Sequence, residues 1–336
     1  MNALFLWKKE FTVLKDINSY FRKVFYLSEY EVNIENLLEF LTLNEINIVV
    51  IQNPFFNEKR LAIYRYLRLK EIKVLASDRG ALPDSWFFDL NGFNSESSSY
   101  DTKYWDKPLS KENEEVVSLY IRKECENDKA LEKQGQRIGK KKLIEKLNLP
   151  PEKKFLFVPL QRPSDTVIKY FSKNIKGIEE FLKIIIEVQK KLKDEWIILV
   201  KKHPLENEKL FEDTLFYVDD NIHFKDLLEL SNAVALINSG VGLISMLFSK
   251  PVYHFGDAFY SNLHINREVK TCDELVFSLK EENFKVDIEK VKRFIFYLIN
   301  NFYSFGNFIT EEKVMEDKSK RTITNKIDFY KINIAL

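Results

Sequence analysis

Residues 234–256, VALINSGVGLISMLFSKPVYHFG, constrain the fold most strongly, because they follow the order strand, turn, helix and strand. Residues 234–237 form a short apolar run, typical of a buried parallel strand. Asn238-Ser239-Gly240 then turns the chain, and residues 241–248 have the composition of an apolar helix that Lys250-Pro251 ends. Residues 252–255 return as a strand. This β-α-β order predicts a parallel sheet with a right-handed crossover.

The turn at residues 238–240 is a candidate anion site. A strand that leads through a Ser/Gly turn into a helix brings free N–H groups and the positive end of the helix to one point. That point suits a phosphate or a carboxylate. The alternative is that the glycines only allow the helix to pack closely on the sheet.

The same alternation recurs before and after a break in pattern at Leu149-Pro150-Pro151. The predicted helices and strands are helices over 31–43, 58–70, 175–192 and 288–302, strands over 46–51, 72–76, 155–160 and 196–200, and a further cycle through 210–215. We therefore predict two α/β domains, residues 1–150 and 151–336, with the last helix placed to cross back to the first domain.

Charge and cysteine content exclude several classes of protein. The 52 basic and 51 acidic residues among 336 leave a net charge of +1, which gives no electrostatic basis for general nucleic-acid binding. Cys125 and Cys272 lie far apart, without metal-ligand spacing, and suit a reducing compartment. The apolar start is too short for a signal peptide, and no run reaches about 18 apolar residues. We expect a cytoplasmic protein.

Polar residues follow three predicted strands of the second half. Gln161-Arg162-Pro163-Ser164-Asp165 follows residues 155–160, Lys201-Lys202-His203-Pro204 follows residues 196–200, and Asn238-Ser239-Gly240-Val241-Gly242 follows residues 234–237. Because ligands of parallel α/β sheets bind beyond the carboxyl ends of the strands, these residues are expected to form one nucleotide site. Taken singly, the histidine can be structural, the proline can simply block a helix, and the cations can be solvated.

Residues 77–94 mix polar, glycine and aromatic residues without periodicity, and residues 95–99 have the composition of a mobile surface loop. Asp78, Arg79 and Asp89 are candidates for proton transfer and for contacts with anions or hydroxyls. The alternative is that each aspartate caps a turn. The charged residues 111–147 are interpreted as exposed helices with a solvated face rather than as a binding patch.

Together these motifs resemble the bacterial capsule-polysaccharide β-Kdo transferase family, which uses CMP-Kdo to make β-linkages of 3-deoxy-manno-octulosonic acid (Kdo). The resemblance covers residues 72–260. Its motifs are here Asp78-Arg-Gly80-Ala-Leu-Pro83, Asp89-Leu-Asn-Gly92-Phe-Asn94, Val158-Pro-Leu-Gln161-Arg-Pro-Ser-Asp165, Lys201-Lys-His203-Pro204, Asn238-Ser-Gly-Val-Gly242 and Lys250-Pro-Val-Tyr253. Many members have glutamate at the position of Asp78, so its carboxylate sits one methylene further back.

The resemblance implies two Rossmann-like domains facing across a cleft, the GT-B type, with an acceptor-side first domain and a donor-binding second domain. It implies a retaining transfer in which Asp165 is the nucleophile, Asp78 the acid/base and His203 a stabiliser of departing CMP. The residues it implies for donor binding are Gln161, Lys201, Lys202, Pro204, Asn238, Ser239, Gly240 and Gly242. Those of the acceptor loop are Arg79, Gly80, Asp89 and Asn94.

No cofactor or metal is expected beyond the donor CMP-Kdo. His254, His264 and Asp257 lack the spacing of a standard metal site, and a base-binding or acceptor-loop role is preferred for that segment. The expected acceptor is a surface glycan or a lipid-linked glycan, and in the latter case we expect peripheral contact with the inner membrane.

Two alternatives stay open. One is another GT-B-like enzyme, such as a transferase of activated polyol phosphates or a sugar epimerase, which would need no nucleophile at Asp165. The other is a non-catalytic glycan-binding scaffold. The acceptor, the linkage and the oligomeric state do not follow from the sequence.

Overall fold

The computed structural model describes residues 1–7, 13–130, 132–206, 214–262, 264–281, 284–314 and 320–336. In this part the chain forms two β-sheets, one of seven strands and one of six. Most of the predicted cycle through residues 210–215 lies outside the described residues.

The first sheet begins with the strands of the N-terminal part, which are β1 (Asn2–Phe5), β2 (Lys23–Tyr26), β3 (Ile46–Gln52), β4 (Val74–Arg79) and β5 (Ser85–Asp89). β1 pairs in parallel with β2 and β3, and β3 pairs in parallel with β4. β5 is antiparallel to β4. Residues 48–51 of β3 are fully buried, as expected for a strand that is covered on both faces.

The second sheet is entirely parallel. Its strands are β6 (Lys154–Pro159), β7 (Trp196–Lys201), β8 (Phe216–Tyr217), β9 (Ala233–Leu236), β10 (Val252–His254) and β11 (Arg267–Glu268). In the spatial order β11-β10-β9-β6-β7-β8, the strands β9, β6 and β7 are neighbours. The three polar motifs that follow them are therefore placed side by side.

The chain returns to the first sheet as a long antiparallel hairpin, β12 (Tyr303–Val314) and β13 (Lys320–Lys331). β12 pairs with β5, which gives the order β13-β12-β5-β4-β3-β1-β2. Phe308 packs against Trp86, with ring centroids 6.1 Å apart. No hairpin is predicted from the sequence pattern, which places residues 303–331 in the second domain. Apart from this return of the chain, the division at residue 150 stays a prediction.

Helices surround both sheets. They are α1 (Ile34–Leu43), α2 (Glu58–Leu69), α3 (Thr102–Trp105), α4 (Lys111–Glu126), α5 (Lys140–Leu147), α6 (Thr166–Phe171), α7 (Ile178–Leu192), α8 (Phe224–Leu230), α9 (Val241–Leu247), α10 (Cys272–Glu281) and α11 (Ile288–Tyr297). Short 3₁₀ turns span Lys15–Tyr20, Asn94–Glu96 and Ser98–Tyr100, and a π turn spans Leu298–Phe302. Among the described residues, no helix has the length and apolar character needed to cross a bilayer.

Helix α11 carries the chain back towards the first sheet. Its Phe294 packs on Trp105 of α3, with ring centroids 5.0 Å apart. Its Arg293 forms an ion pair of 2.8 Å with Asp106, which follows α3. The predicted helix over 288–302 is thus α11 together with the π turn, and it leads directly into β12.

The two sheets contact each other through the segment after β3 and helix α6. Phe55 packs on Phe171, with ring centroids 4.9 Å apart, and on Tyr170. Glu58 forms an ion pair of 2.6 Å with Lys169 at the surface of the same contact. An apolar contact with a charged rim therefore fixes how the domains face each other.

The segment over residues 77–99 differs from the prediction. It contains the strand β5, and it ends in two 3₁₀ turns rather than in a mobile loop. Ser97 and Ser99 are buried and donate hydrogen bonds to the carboxylate of Asp89. These bonds hold the serine-rich stretch against the sheet, which composition alone does not reveal.

Candidate active site

The cavity that all three strand-end motifs line, called here the main cavity, lies between the two sheets at the carboxyl ends of β6, β7 and β9 and encloses about 270 Å³. Ala81, Pro83 and the segment that includes Lys129, Glu132 and Gln134 form its wall opposite the second sheet. The predicted site residues that line it are Gln161, Asp165, Lys201, Lys202, His203, Pro204, Ser239 and Gly240. The structure thus brings the three strand-end motifs together in one cleft.

A second, more polar cavity of about 370 Å³ adjoins the first. The two cavities share Glu132, Asp165 and His203 in their walls. These three side chains therefore stand where the cavities meet. A substrate that spans both cavities would have its middle atoms beside a carboxylate and an imidazole.

Asp165 precedes the first residue of α6, in the N-cap position. Its Oδ2 accepts a hydrogen bond of 3.0 Å from the backbone N–H of Arg162, which closes the turn after β6. Burial raises the pKa of the Asp165 carboxyl to about 6. The hydrogen bond from Arg162 opposes that rise, and the charge of Glu132 adds to it. The carboxylate is therefore ionised at neutral pH but poorly solvated, which suits a nucleophile.

His203 follows β7, and its Nδ1 accepts a hydrogen bond of 3.2 Å from the backbone N–H of Leu205. This bond places the proton of the neutral ring on Nε2, an assignment that follows from the hydrogen-bond geometry. Burial, and after it the neighbouring charge of Arg162, lower the pKa of His203 to about 4. The ring is thus a neutral N–H donor at physiological pH rather than a cation.

Gln161 and Asn238 bond to each other rather than standing free. Gln161 Nε2 donates to Asn238 Oδ1 at 3.0 Å, and both side chains are buried. Asn238 Nδ2 also donates to the carbonyls of Val167 and Phe171 in α6. The pair joins the end of β9 to the helix that follows Asp165. Both were predicted to contact the donor, and their bonds in the structure point to positioning.

The start of α9 is packed tightly on both sides. The Ser239 carbonyl accepts a hydrogen bond of 2.5 Å from the Tyr260 hydroxyl. A Cβ at Gly242 would lie 2.3 Å from that hydroxyl oxygen, so only glycine fits there. A Cβ at Gly240 would lie 3.2 Å from the Cβ of Ala81, across the cleft. These glycines therefore allow close packing, which is the alternative given for them in the sequence analysis. The close packing holds the turn at the cavity wall.

The two lysines after β7 are engaged with Asp220. Lys201 Nζ donates to the Asp220 carbonyl at 3.0 Å, and Lys202 Nζ lies 3.5 Å from the Asp220 carboxylate. Burial lowers the pKa of Lys201 to about 8. Both lysines line the main cavity, and Asp220 directs their ammonium groups.

The predicted residues of the first domain are less close to the cavities. Asp78 lies at the end of β4, where its Oδ1 accepts the backbone N–H of Arg79 at 2.8 Å. Burial raises the pKa of this carboxyl to about 6. Asp78 is not among the described residues that form the walls of the two cavities. Gly80 packs against Ser85, since a Cβ there would lie 2.1 Å from the Ser85 Oγ.

Asp89 and Asn94 shape the predicted acceptor loop rather than lining the cavities. Besides Ser97 and Ser99, the Asp89 carboxylate accepts the backbone N–H of Asn91 at 2.9 Å. Asn94 starts a 3₁₀ turn with a positive φ of 52°. Asp89 therefore caps a turn, which is the alternative role given for it in the sequence analysis.

Glu132 is a site residue that sequence reasoning missed, because it lies in the charged stretch interpreted as solvated. Its Oε1 accepts from Arg79 Nη1 at 3.3 Å, and its Oε2 accepts from the hydroxyl of Thr322 in β13. Glu132 thus links the end of β4 to the C-terminal hairpin at the point where the cavities meet. Gly135 was the available signal, because a glycine in a charged stretch marks a close backbone approach.

Residues 127–130 and 132–138, called here the anchored loop, are held by the start of α8. His223 Nε2 contacts the carbonyl of Asp128 at 3.0 Å, and Asp226 Oδ2 accepts the backbone N–H of Ile138 at 2.7 Å. A Cβ at Gly135 would lie 1.8 Å from the carbonyl oxygen of Asn221. These contacts fix the loop that carries Glu132, and they give His223 its role in the fold.

His254 is also structural: its ring contacts the Gly256 carbonyl and the side chain of Asn266. Within the described ranges, no group of three or more His, Cys, Asp and Glu side chains is arranged to hold a metal ion.

Two Rossmann-like domains with a cleft between them at the strand ends define a GT-B fold. Residues 113–274 match the model of a family described as capsule polysaccharide biosynthesis protein. The resemblance to capsule-polysaccharide proteins is thereby confirmed.

Solved structures agree on the fold. The chain is similar to Thermosulfurimonas dismutans KpsC, beta Kdo 2,4 transferase, with a TM-score of 0.64 and 13% identity over 91% of this chain and 92% of that chain. It is similar to Thermosulfurimonas dismutans KpsC, beta Kdo 2,7 transferase, with a TM-score of 0.58 and 16% identity over 96% and 95% of the two chains. At such identities the likeness establishes the fold alone.

A relative is found by sequence as well. Protein FixF of Sinorhizobium fredii (strain NBRC 101917 / NGR234) is 25% identical over 159 residues, which are 46% of this chain. The match spans 39% of the length of FixF, well under half of that protein.

Proposed function

We propose that this protein is a retaining glycosyltransferase that transfers Kdo in β-linkage from CMP-Kdo to a capsular or lipopolysaccharide-type glycan or glycolipid. The observation that carries the proposal is the meeting of Asp165 and His203 at the junction of two cavities in the cleft of a GT-B fold. The motifs that resemble the β-Kdo transferases support it. So does the fold shared with two solved structures named as β-Kdo transferases.

In this proposal the nucleotide occupies the main cavity, with its phosphate near Ser239 and Gly240. His203 donates its Nε2–H to a phosphate oxygen. Because the ring is buried and neutral, this hydrogen bond acts in a weakly screened environment and stabilises the charge that develops on departing CMP.

The transfer then proceeds in two displacements. An oxygen of Asp165 attacks the anomeric carbon, and the bond from that carbon to the phosphate oxygen breaks, with its electron pair leaving on CMP. The acceptor hydroxyl next attacks the same carbon, Asp165 departs as a carboxylate, and a second carboxylate takes the hydroxyl proton. Two inversions give overall retention.

Asp78 is the second carboxylate in this scheme, by its place in the motif. Glu132 is its rival, because it stands at the junction of the cavities, whereas Asp78 is not among the described residues that line either cavity. Both belong to the same chemical class, so substitution of each in turn decides between them.

The direct test is incubation of the purified protein with CMP-Kdo and candidate glycan acceptors. We expect release of CMP and a β-linked product, with the anomeric configuration read by NMR. Parallel reactions with UDP- and CDP-activated compounds serve as the donor control. Faster turnover of those donors, or an α-linked product, would contradict the proposal, and glycan binding without any turnover would favour a scaffold.

The pKa of Asp165 predicts the acid limb of the pH profile. We expect kcat/KM to rise with pH and level off above about 6, because the protonated carboxyl below its pKa cannot attack the sugar. His203, with a pKa of about 4, is almost entirely neutral near pH 6 and adds no limb there. Initial rates at low donor concentration, from about pH 4.5 to about pH 8, measure the profile.

The control for this profile is Asp78→Asn, because burial raises the pKa of Asp78 to about 6 as well. If the pH profile of Asp78→Asn still shows an acid limb in its residual activity, the titrating group is Asp165. A flat profile in the wild-type protein down to about pH 5 would contradict the assignment of an ionised Asp165 as nucleophile.

A further inference from the structure

We propose that Arg162 and Arg321 form a two-arginine site in the polar cavity that binds the carboxylate of an acidic sugar substrate. The inference rests on the proposed function and deepens it, because it assigns the recognition of substrate charge to two named side chains. One of them, Arg321, lies on the C-terminal hairpin, which the sequence analysis did not predict.

The two arginines come from opposite sides of the cleft. Arg162 belongs to the turn after β6 of the second sheet, and Arg321 belongs to β13 of the first sheet. Both line the cavity of about 370 Å³ together with Asp165 and His203. A ligand in this cavity therefore has a guanidinium on either side and the proposed nucleophile within the same wall.

Neither guanidinium makes a hydrogen bond or an ion pair to another residue of the described part of the chain. Arg162 Nε is moreover buried without a partner. Buried donors of this kind are nearly always satisfied, so an orphaned one calls for an acceptor that the protein does not supply. A ligand oxygen in the cavity would be that acceptor.

The other charged groups at the site are already engaged. Glu132, which shares this cavity, accepts hydrogen bonds from Arg79 and Thr322. Lys201 and Lys202, which the resemblance implies for donor binding, are directed to Asp220. Among the described residues that line the polar cavity, Arg162 and Arg321 are therefore the cations that remain available to an anionic ligand.

The chemistry of the cavity favours a carboxylate on the sugar. A carboxylate close to the reacting carbon would be repelled by Asp165 unless a cation lay beside it. The planar fork of a guanidinium matches the two oxygens of a carboxylate, which the point charge of a lysine does not. A neutral sugar would leave both arginines unpaired, so the site would select for acidic sugars.

The test is equilibrium binding of free Kdo and of N-acetylneuraminate to the full chain in the presence of CMP, by calorimetry or ligand-observed NMR. Arg162→Gln and Arg321→Gln are each expected to weaken binding about tenfold or more, as for the loss of a charged hydrogen bond. Arg321→Lys should have an intermediate effect. Affinity for CMP should be unchanged in every variant.

Two controls make the result specific. Arg65→Gln removes an equal charge from an exposed position of α2 and should leave binding of the acidic sugars unchanged. The methyl ester of Kdo should bind weakly to all variants alike. Equal affinity of the acid and the ester, or unchanged affinity in both Arg162→Gln and Arg321→Gln, would overturn the proposal.

Kinetics then identify which substrate carries the carboxylate. Slower hydrolysis of CMP-Kdo without acceptor in Arg321→Gln assigns it to the donor. A raised KM for an acidic acceptor, with hydrolysis unchanged, assigns it to the acceptor. If CMP-Kdo is not turned over at all while arginine-dependent binding of acidic sugars persists, the proposed Kdo transfer fails and the two-arginine site stands.

Discussion

Asp165→Asn is expected to abolish glycosyl transfer, with a fall in initial rate on the order of 10⁴-fold, as when a nucleophile is removed from other covalent enzymes. Asparagine preserves the shape of the side chain and can still accept the Arg162 backbone N–H, so the turn before α6 should persist. The thermal unfolding midpoint should therefore change little. Initial rates of CMP release and of product formation measure the effect.

A covalent intermediate gives an independent readout of the same residue. Mass spectrometry of the wild-type protein quenched with CMP-Kdo should show one added Kdo on the peptide that contains Asp165, and none in Asp165→Asn. Asp273→Asn is the matched control, because this exposed aspartate pairs with Lys191 and lies outside both cavity walls as described. Transfer that continues unchanged in Asp165→Asn would remove Asp165 from the mechanism.

The identity of the second carboxylate follows from two further variants. Loss of the group that deprotonates the acceptor should slow the second displacement more than the first, so the glycosyl adduct on Asp165 should accumulate. If Asp78 is the base, as its place in the motif implies, the adduct should accumulate in Asp78→Asn. If Glu132 is the base, as its position between the cavities implies, the adduct should accumulate in Glu132→Gln. The amount of intact adduct in each variant decides between them.

Asp226→Ala is expected to destabilise the protein by about 3–5 kcal/mol, the usual cost of removing one partner of a buried ion pair. Asp226 is fully buried, its Oδ1 lies 3.0 Å from Arg137 Nε, and its Oδ2 accepts the Ile138 N–H. Its loss leaves the Nε–H of Arg137 and the backbone N–H of Ile138 without an acceptor. The free energy of unfolding in urea, measured against the wild-type protein, tests this.

Glu229→Ala supplies the control, because Glu229 pairs with the same Arg137 at 3.1 Å but its side chain is 44% exposed. An exposed pair contributes about 0–1 kcal/mol, so this variant should stay close to the wild type. Equal effects of the two variants would show that burial does not set the cost. Since Asp226 also anchors the loop that carries Glu132, Asp226→Ala should lower the transfer rate even where it remains folded.

Much of the cleft could be predicted from local pattern. Apolar runs followed by Gln161, Lys201 and Asn238 indicate strand ends, and parallel strands bring their carboxyl ends to one edge. This reasoning placed Asp165 and His203 at the same edge of the sheet, and both line the cavities there. It did not distinguish residues that face the cavity from residues that support it, since Gln161 and Asn238 bond to each other.

The first domain was harder to predict because its contacts are long-range. Nothing local shows that Asp89 is bonded by Ser97 and Ser99, or that Glu132, in a run of charges, reaches Arg79 and Thr322. The same holds for Arg321, which reaches the cleft only because β12 pairs with β5. The residues that flank Asp89, Glu132 and Arg321 in the sequence give no sign of these contacts.

The sequence by itself determined the strand–helix alternation, the parallel second sheet and the polar residues at its strand ends, because these depend on hydrophobic periodicity and turn chemistry within short segments. Tertiary structure alone decided which of those residues face the substrate, where the C-terminal hairpin pairs, and which charges are left without a partner. These depend on contacts between residues far apart in the chain, and the free energy of burying or pairing a group is set only once those contacts exist.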